Sequence, residues 1–239
     1  MKHHLLILAL TLSFSVAQAN PGLRGVVSAS CGGSLNNGFG PYDYRLHANS
    51  EDARSNPNNP LFLVHSAHFR PEMEALRHGG QGPKSSVAPE FDYTLRAFPN
   101  HHRALIALMR LAKREGTDQP KRLRWPVECY FERAIAWTPD DVVVRMLHAK
   151  FLTDRKQATA ARAALSSALG LAADNPLTHH NIGLLYLELG DVADALQQSH
   201  RAASLGMLQQ TLKDRLVAGG HWKELATEPS SEPASNPPR

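Results

Sequence analysis

Asn175 to Gly206 reads NPLTHHNIGLLYLELGDVADALQQSHRAASLG, and the spacing of its small residues decides the fold. Two apolar-periodic runs flank Gly190, which marks a helix, a tight stop and a second helix. Gly183, Ala195 and Ala202 are small where two antiparallel helices must approach closely. Ile182 and Tyr186 are large enough to fill the space between one such pair and the next.

Moved back by a period of about 34 residues, the pattern repeats. Gly183 falls on Ala149, Ala195 on Ala161 and Ala202 on Ala168, while Asn175 and Asp141 flank the corresponding helix starts. A further shift puts Phe131, Ala134 and Pro139 at the aromatic, small and closing positions of a second helix. Its partner, HHRALIALMRLAKREG, ends in Gly116, and TDQPKRLRWP lengthens the turn between the two. FDYTLRAFPN upstream supplies one more second helix through Phe91, Leu95 and Pro99. These residues resemble the tetratricopeptide (TPR) repeat, over about Phe91 to Leu225. The departures are His148 beside Ala149, His179 at the tryptophan position, Ser199 at the helix-B aromatic and Met207 at the closing proline. The expected fold is therefore all-α, a TPR-like α-solenoid of about three helix pairs, closed by a capping helix near Leu208 to Val217 that ends at Gly219-Gly220. Separately, GPYDYR, the His65/His68 segment with FRPEMEAL, and DYTLRAFPNHHRAL resemble a family of exported bacterial TPR proteins with an N-terminal module. That resemblance implies a context and no mechanism.

Outside the array, MKHHLLILALTLSFSVAQAN has a basic start, an apolar run from Leu5 to Val16 and the small-x-small site Ala17-Gln18-Ala19. It reads as a signal peptide over residues 1–19, too short to span a bilayer. The mature chain is then exported, to a bacterial periplasm or fully secreted, with no integral membrane segment after cleavage. Residues 20–86 are rich in Gly, Pro, Asn and Ser and read as an irregular N-terminal module. Within it, LFLVHSAHF reads as a short strand or buried extended segment, Pro71 opens a short helix, and GGQGPKSS is a hinge-like loop. Residues 87–226 form the helical array, and 227–239, TEPSSEPASNPPR, should be disordered. The only cysteines, Cys31 and Cys129, are expected to pair in an oxidising compartment.

The chain has 26 Lys+Arg against 22 Asp+Glu, a formal net charge of +4. No basic stripe interleaved with aromatics occurs, so nucleic acid is not an expected partner. No G-x-S-x-G, H-E-x-x-H, P-loop or dinucleotide fingerprint is present, nor a C-x-x-C-H haem motif, and no cofactor is expected. The TPR resemblance implies a concave groove lined by the first helix of each pair. Its positions fall on Arg103, Ile106, Arg110, Lys113 and Arg114, then Val143, Met146, Lys150, Thr153 and Asp154, then Leu177, His180, Leu184, Leu187 and Glu188. Such a groove runs from basic to apolar and suits a protein or peptide partner with an acidic or carboxylate-bearing segment. The expected function is a non-catalytic exported adaptor. Two alternatives remain: a periplasmic metal- or cofactor-binding protein using His65 and His68, and an enzyme with its site in the module around Tyr42, Tyr44, His65, His68 and His101. Against a metal stands the requirement for three or four convergent ligands; His101 and His179 at helix starts also have ordinary capping roles open to them.

Overall fold

A computed structural model describes residues 25–77 and 86–224. The expected signal peptide, most of the expected hinge GGQGPKSS and the expected disordered tail 227–239 lie outside the described residues. Among the described residues every regular element is helical. The module contributes two short 3-10 turns and the helices α1 (Tyr44–Ala48), α2 (Pro60–His68) and α3 (Pro71–Glu74). Then come α4 (Ala88–Ala97), α5 (His102–Glu115), α6 (Val127–Trp137), α7 (Val142–Asp154), α8 (Ala158–Gly170), α9 (Pro176–Glu188), α10 (Val192–Ser204) and α11 (Thr211–Ala218). Among the described residues no helix is long and apolar enough to cross a membrane.

The LFLVHSAHF segment is helix α2, not a strand. Asn59 accepts a hydrogen bond from the Leu61 amide and Pro60 sits in the first turn, so the start is a capped, proline-led helix. Leu61 and Val64, three apart, bury one face. The closing helix also begins later than expected, at Thr211, and Leu208 is left 90% exposed.

Sequence-adjacent helices joined by a few residues must return against one another, and α7 packs on α8, and α9 on α10. The small residues sit at the crossings. Ala149, Ala161, Ala168, Gly183 and Ala195 are all buried. A Cβ on Gly183 would lie 2.3 Å from Leu212 Cδ2 and 3.1 Å from Gln198 Cβ, so α9 meets both α10 and α11 at that one residue. Two cores result. One joins Phe91, Leu95, Leu105, Leu108, Leu111, Tyr130 and Phe131 of α4 to α6. The other joins Leu165, Ile182, Tyr186, Leu212 and Leu216 of α8 to α11. Helix α7 faces both, with Val144 and Phe151 in the first and Ala149 and Leu152 in the second.

The module is fastened to this array rather than standing apart. Phe69 and Met73 enter the first core. A disulfide links Cys31 to Cys129 on α6 across 98 residues of sequence. Beside it Arg133, 2% exposed, donates from Nη1 to the carbonyls of Cys31 (3.1 Å) and Ser34 (2.7 Å), with its guanidinium 4.6 Å from the centre of the Trp125 ring. Gly40, at φ +96°, passes so close to α4 that a Cβ would lie 2.5 Å from the Ala97 carbonyl oxygen.

Candidate functional site: a basic helix face and a histidine-rich junction

Helix α5 packs beside α7, and α7 beside α9, so the three helices that carry the groove positions are neighbours. On α5, Arg110 and Lys113 are exposed, and neither ion-pairs within 4.0 Å among the described residues. Lys113 opens onto a cleft of about 480 Å³ that it shares with Thr117, Asp118 and Arg155. Arg155, just past the end of α7, pairs with Asp118 and lies over the Phe151 ring at 4.7 Å. Sequence reasoning did not single out Arg155; a basic residue following the last turn of a predicted helix was its only signal. Ile106, 42% exposed, continues the same face of α5.

The other groove positions are more committed to the protein itself. Arg103 pairs with Glu74 of α3 and its guanidinium lies 5.7 Å from the centre of the Phe69 ring. Arg114 donates to the Leu76 carbonyl at 2.7 Å. Segment 69–76 thus lies along α5 and engages two of its cations. Lys150 pairs with Asp154 and, at 3.3 Å, with Glu188, which cross-links α7 and α9. Met146 and Leu184 are half-buried against the second core, while Leu177 is 51% exposed. His180 is 2% exposed and does not present its ring on an open face. Among these expected positions, Arg110 and Lys113 are thus the cations left exposed without an ion pair, while the apolar Met146 and Leu184 are half-covered.

The second cluster lies where α1, α2, α3 and α5 meet. His101 is fully buried and caps α5, its Nδ1 accepting from the Ala104 amide at 3.1 Å. With Nδ1 an acceptor, the neutral ring carries its proton on Nε2. That nitrogen lies 2.7 Å from His65 Nε2, which must therefore accept, leaving the His65 proton on Nδ1. Tyr44 stacks on His101 with ring centres 4.1 Å apart, and Phe69 closes the other side at 4.8 Å. Burial holds His65 down to about 4, helped by the Arg103 charge; burial also holds His101 well below the usual imidazole range.

Beside this pair one asparagine joins three helix starts. Asn100 accepts from the Tyr44 amide and donates from Nδ2 to Asp43 (2.7 Å) and Asp141 (3.0 Å). Asp43 caps α1, and Asp141 caps α7 through the Val143 and Val144 amides. His102 reaches Asp141 at 2.8 Å. Burial tends to raise the Asp141 carboxyl, but hydrogen bonds from His102 and Asn100 outweigh it and hold the group low. These bonds satisfy orphan amides at helix N-termini.

The two histidines proposed as metal ligands take different partners. His65 faces His101, while His68 bonds Glu90 at 2.7 Å and stacks on Tyr93 at 3.8 Å. Among the described residues no group of three or more His, Cys, Asp or Glu side chains converges as a metal site. Of the residues considered for an active site, Tyr44, His65 and His101 are brought together. Tyr42 instead packs on Phe98 at 5.4 Å, within the cluster that seats the module on α4.

No protein-family model, curated protein or solved structure matches the chain.

Proposed function

We propose that this protein is an exported, non-catalytic scaffold of the tetratricopeptide type that holds an acidic or carboxylate-bearing protein segment. The segment lies against the face shared by α5, α7 and α9. The observation that carries this reading is the pairing of Arg110 and Lys113 on an exposed helix face, without carboxylate partners among the described residues, beside a cleft that Arg155 also lines. Cations left unpaired while neighbouring Arg103, Lys150 and Arg155 are all matched to carboxylates are available to an external anion. The helix pairs and their buried small residues support the solenoid arrangement. The disulfide supports export to an oxidising compartment.

The test is a pull-down from periplasmic extract with the mature chain, repeated with Arg110→Glu/Lys113→Glu. Specific partners should be lost on charge reversal and weakened by salt, since exposed ionic contacts are screened. Retention of every specific partner by the double variant would sink the groove assignment.

A further inference from the structure

At the C-terminal end of the array, α9, α10, α11 and the residues after them enclose a cavity of about 220 Å³. Its wall includes His180 and Ser199, both buried, with Met207, Lys213, Trp222 and Glu224. That volume corresponds to about seven waters of liquid. The repeat pattern does not call for such a space, since a closing helix serves to cover apolar surface.

Two features mark it as more than a packing gap. His180 Nε2 is buried and has no hydrogen-bond partner, on a ring that forms part of the cavity wall. Unpartnered buried nitrogens are costly, and a polar ligand atom offsets that cost. The second feature is a separated pair of opposite charges. Lys213 Nζ lies over the face of the Trp222 ring, 4.6 Å from its centre. Glu224 is held at the edge of the same indole, where Oε1 accepts from Nε1 at 2.8 Å. The two charges do not pair with each other within 4.0 Å. His200, which donates from Nε2 to the Lys223 carbonyl at 2.9 Å, packs on Trp222 with ring centres 4.6 Å apart.

We infer that this cavity binds a small zwitterion of the α-amino-acid type. Its carboxylate meets Lys213 and accepts from His180 Nε2, its ammonium meets the Glu224 carboxylate, and its side chain extends toward Met207 and Ala202. A simple anion would meet Glu224 unfavourably and a simple cation would meet Lys213 unfavourably; a zwitterion satisfies both. The site is separate from the α5 face and stands or falls independently of the scaffold reading.

The probe is L-leucine, titrated into the full mature chain and followed by the imidazole resonances of His180 and the indole resonance of Trp222. N-acetyl-L-leucine, which lacks the positive charge, and L-leucinamide, which lacks the negative one, serve as controls. Saturable shifts at both residues are expected with L-leucine, at least tenfold weaker binding of each control, and at least tenfold losses in Lys213→Met and Glu224→Gln. Both substituted side chains reach solvent, and an unchanged melting temperature confirms that each variant is folded. Absence of saturable shifts with millimolar L-leucine overturns the proposal. So does equal binding of either control, or binding indifferent to Lys213→Met.

Discussion

Gly183→Ala tests the helix crossing that defines the array. In an isolated helix the change is favourable by about 1 kcal/mol, because alanine is the better helix former. Here the added methyl would lie 2.3 Å from Leu212 Cδ2, 3.1 Å from Gln198 Cβ and 3.4 Å from the Ala195 carbonyl oxygen. Leu212 is 1% exposed and has little room to withdraw. Overpacking of that kind costs about 1–3 kcal/mol. Subtracting the propensity gain leaves a net loss of up to about 2 kcal/mol, which for a chain of this size lowers Tm by up to roughly 8 °C. The attribution can be checked with Leu212→Val, which removes the δ carbons and by itself should cost about 1 kcal/mol. On that background Gly183→Ala should become nearly neutral, the remaining contacts being Gln198 Cβ and the Ala195 carbonyl oxygen. Urea unfolding of the four proteins in the cycle gives the coupling directly. A stabilising Gly183→Ala in the parent, or an equal cost on both backgrounds, would refute the claim that α9 meets α11 at this residue.

The module's fastenings should be measurable in the same way. Reduction of the Cys31–Cys129 bond opens a loop of 98 residues' separation and should cost about 4–5 kcal/mol; melts with and without reductant report it, and thiol titration of the unfolded, unreduced protein should find none. Arg133→Met leaves the Cys31 and Ser34 carbonyls without their charged donor and should cost about 2–3 kcal/mol in the oxidised protein. Its cost should shrink once the disulfide is reduced, because the same loop holds both. Acid should loosen the junction: the folded His65 sits at about 4 against an unfolded value near 6.5, so the unfolded chain takes up protons first as pH falls. The stability His65 confers is complete above about pH 6.5 and is lost between there and pH 4, about 1–2 kcal/mol after allowance for solvent screening of a half-buried ring. His65→Phe should flatten that part of the stability–pH profile, and an unchanged slope would count against the paired neutral imidazoles.

The helical array was legible from sequence because its signals are local and repeated. Asn175 and Asp141 mark helix starts and cap them, Gly116 stops α5 in a left-handed conformation, and alanines recur at the crossings. The module was not legible to the same degree. In LFLVHSAHF a short apolar run fits a strand and a buried helix equally, and only Asn59-Pro60 at its start favours the helix. Nor could periodicity show that His65 would meet His101 or that Asn100 would join Asp43 to Asp141. Those contacts span 36 to 57 residues and depend on how the module folds back onto α5. The groove positions Arg103 and Arg114 meet Glu74 of α3 and the Leu76 carbonyl, and Arg155 meets Asp118, all in segments outside the paired helices. A repeat template contains no such segments.

The chemistry-bearing residues divide by whether the fold already consumes them. His101 has both ring nitrogens engaged, one as a helix cap and one toward His65. Asp141 accepts from Asn100, His102 and two backbone amides, and Asp92 accepts from the Tyr130 hydroxyl and Arg96. A group used this way has little capacity left for a substrate: releasing Asp141 would orphan the first amides of α7 and the buried Asn100 donor together. A catalytic centre at the junction would have to break its own supports at each turnover. The unconsumed groups lie elsewhere, with Arg110 and Lys113 on the α5 face and His180 and Lys213 at the far cavity. Both places can accept a ligand without dismantling a helix start, and that difference from the histidine-rich junction is what supports the proposed binding reading.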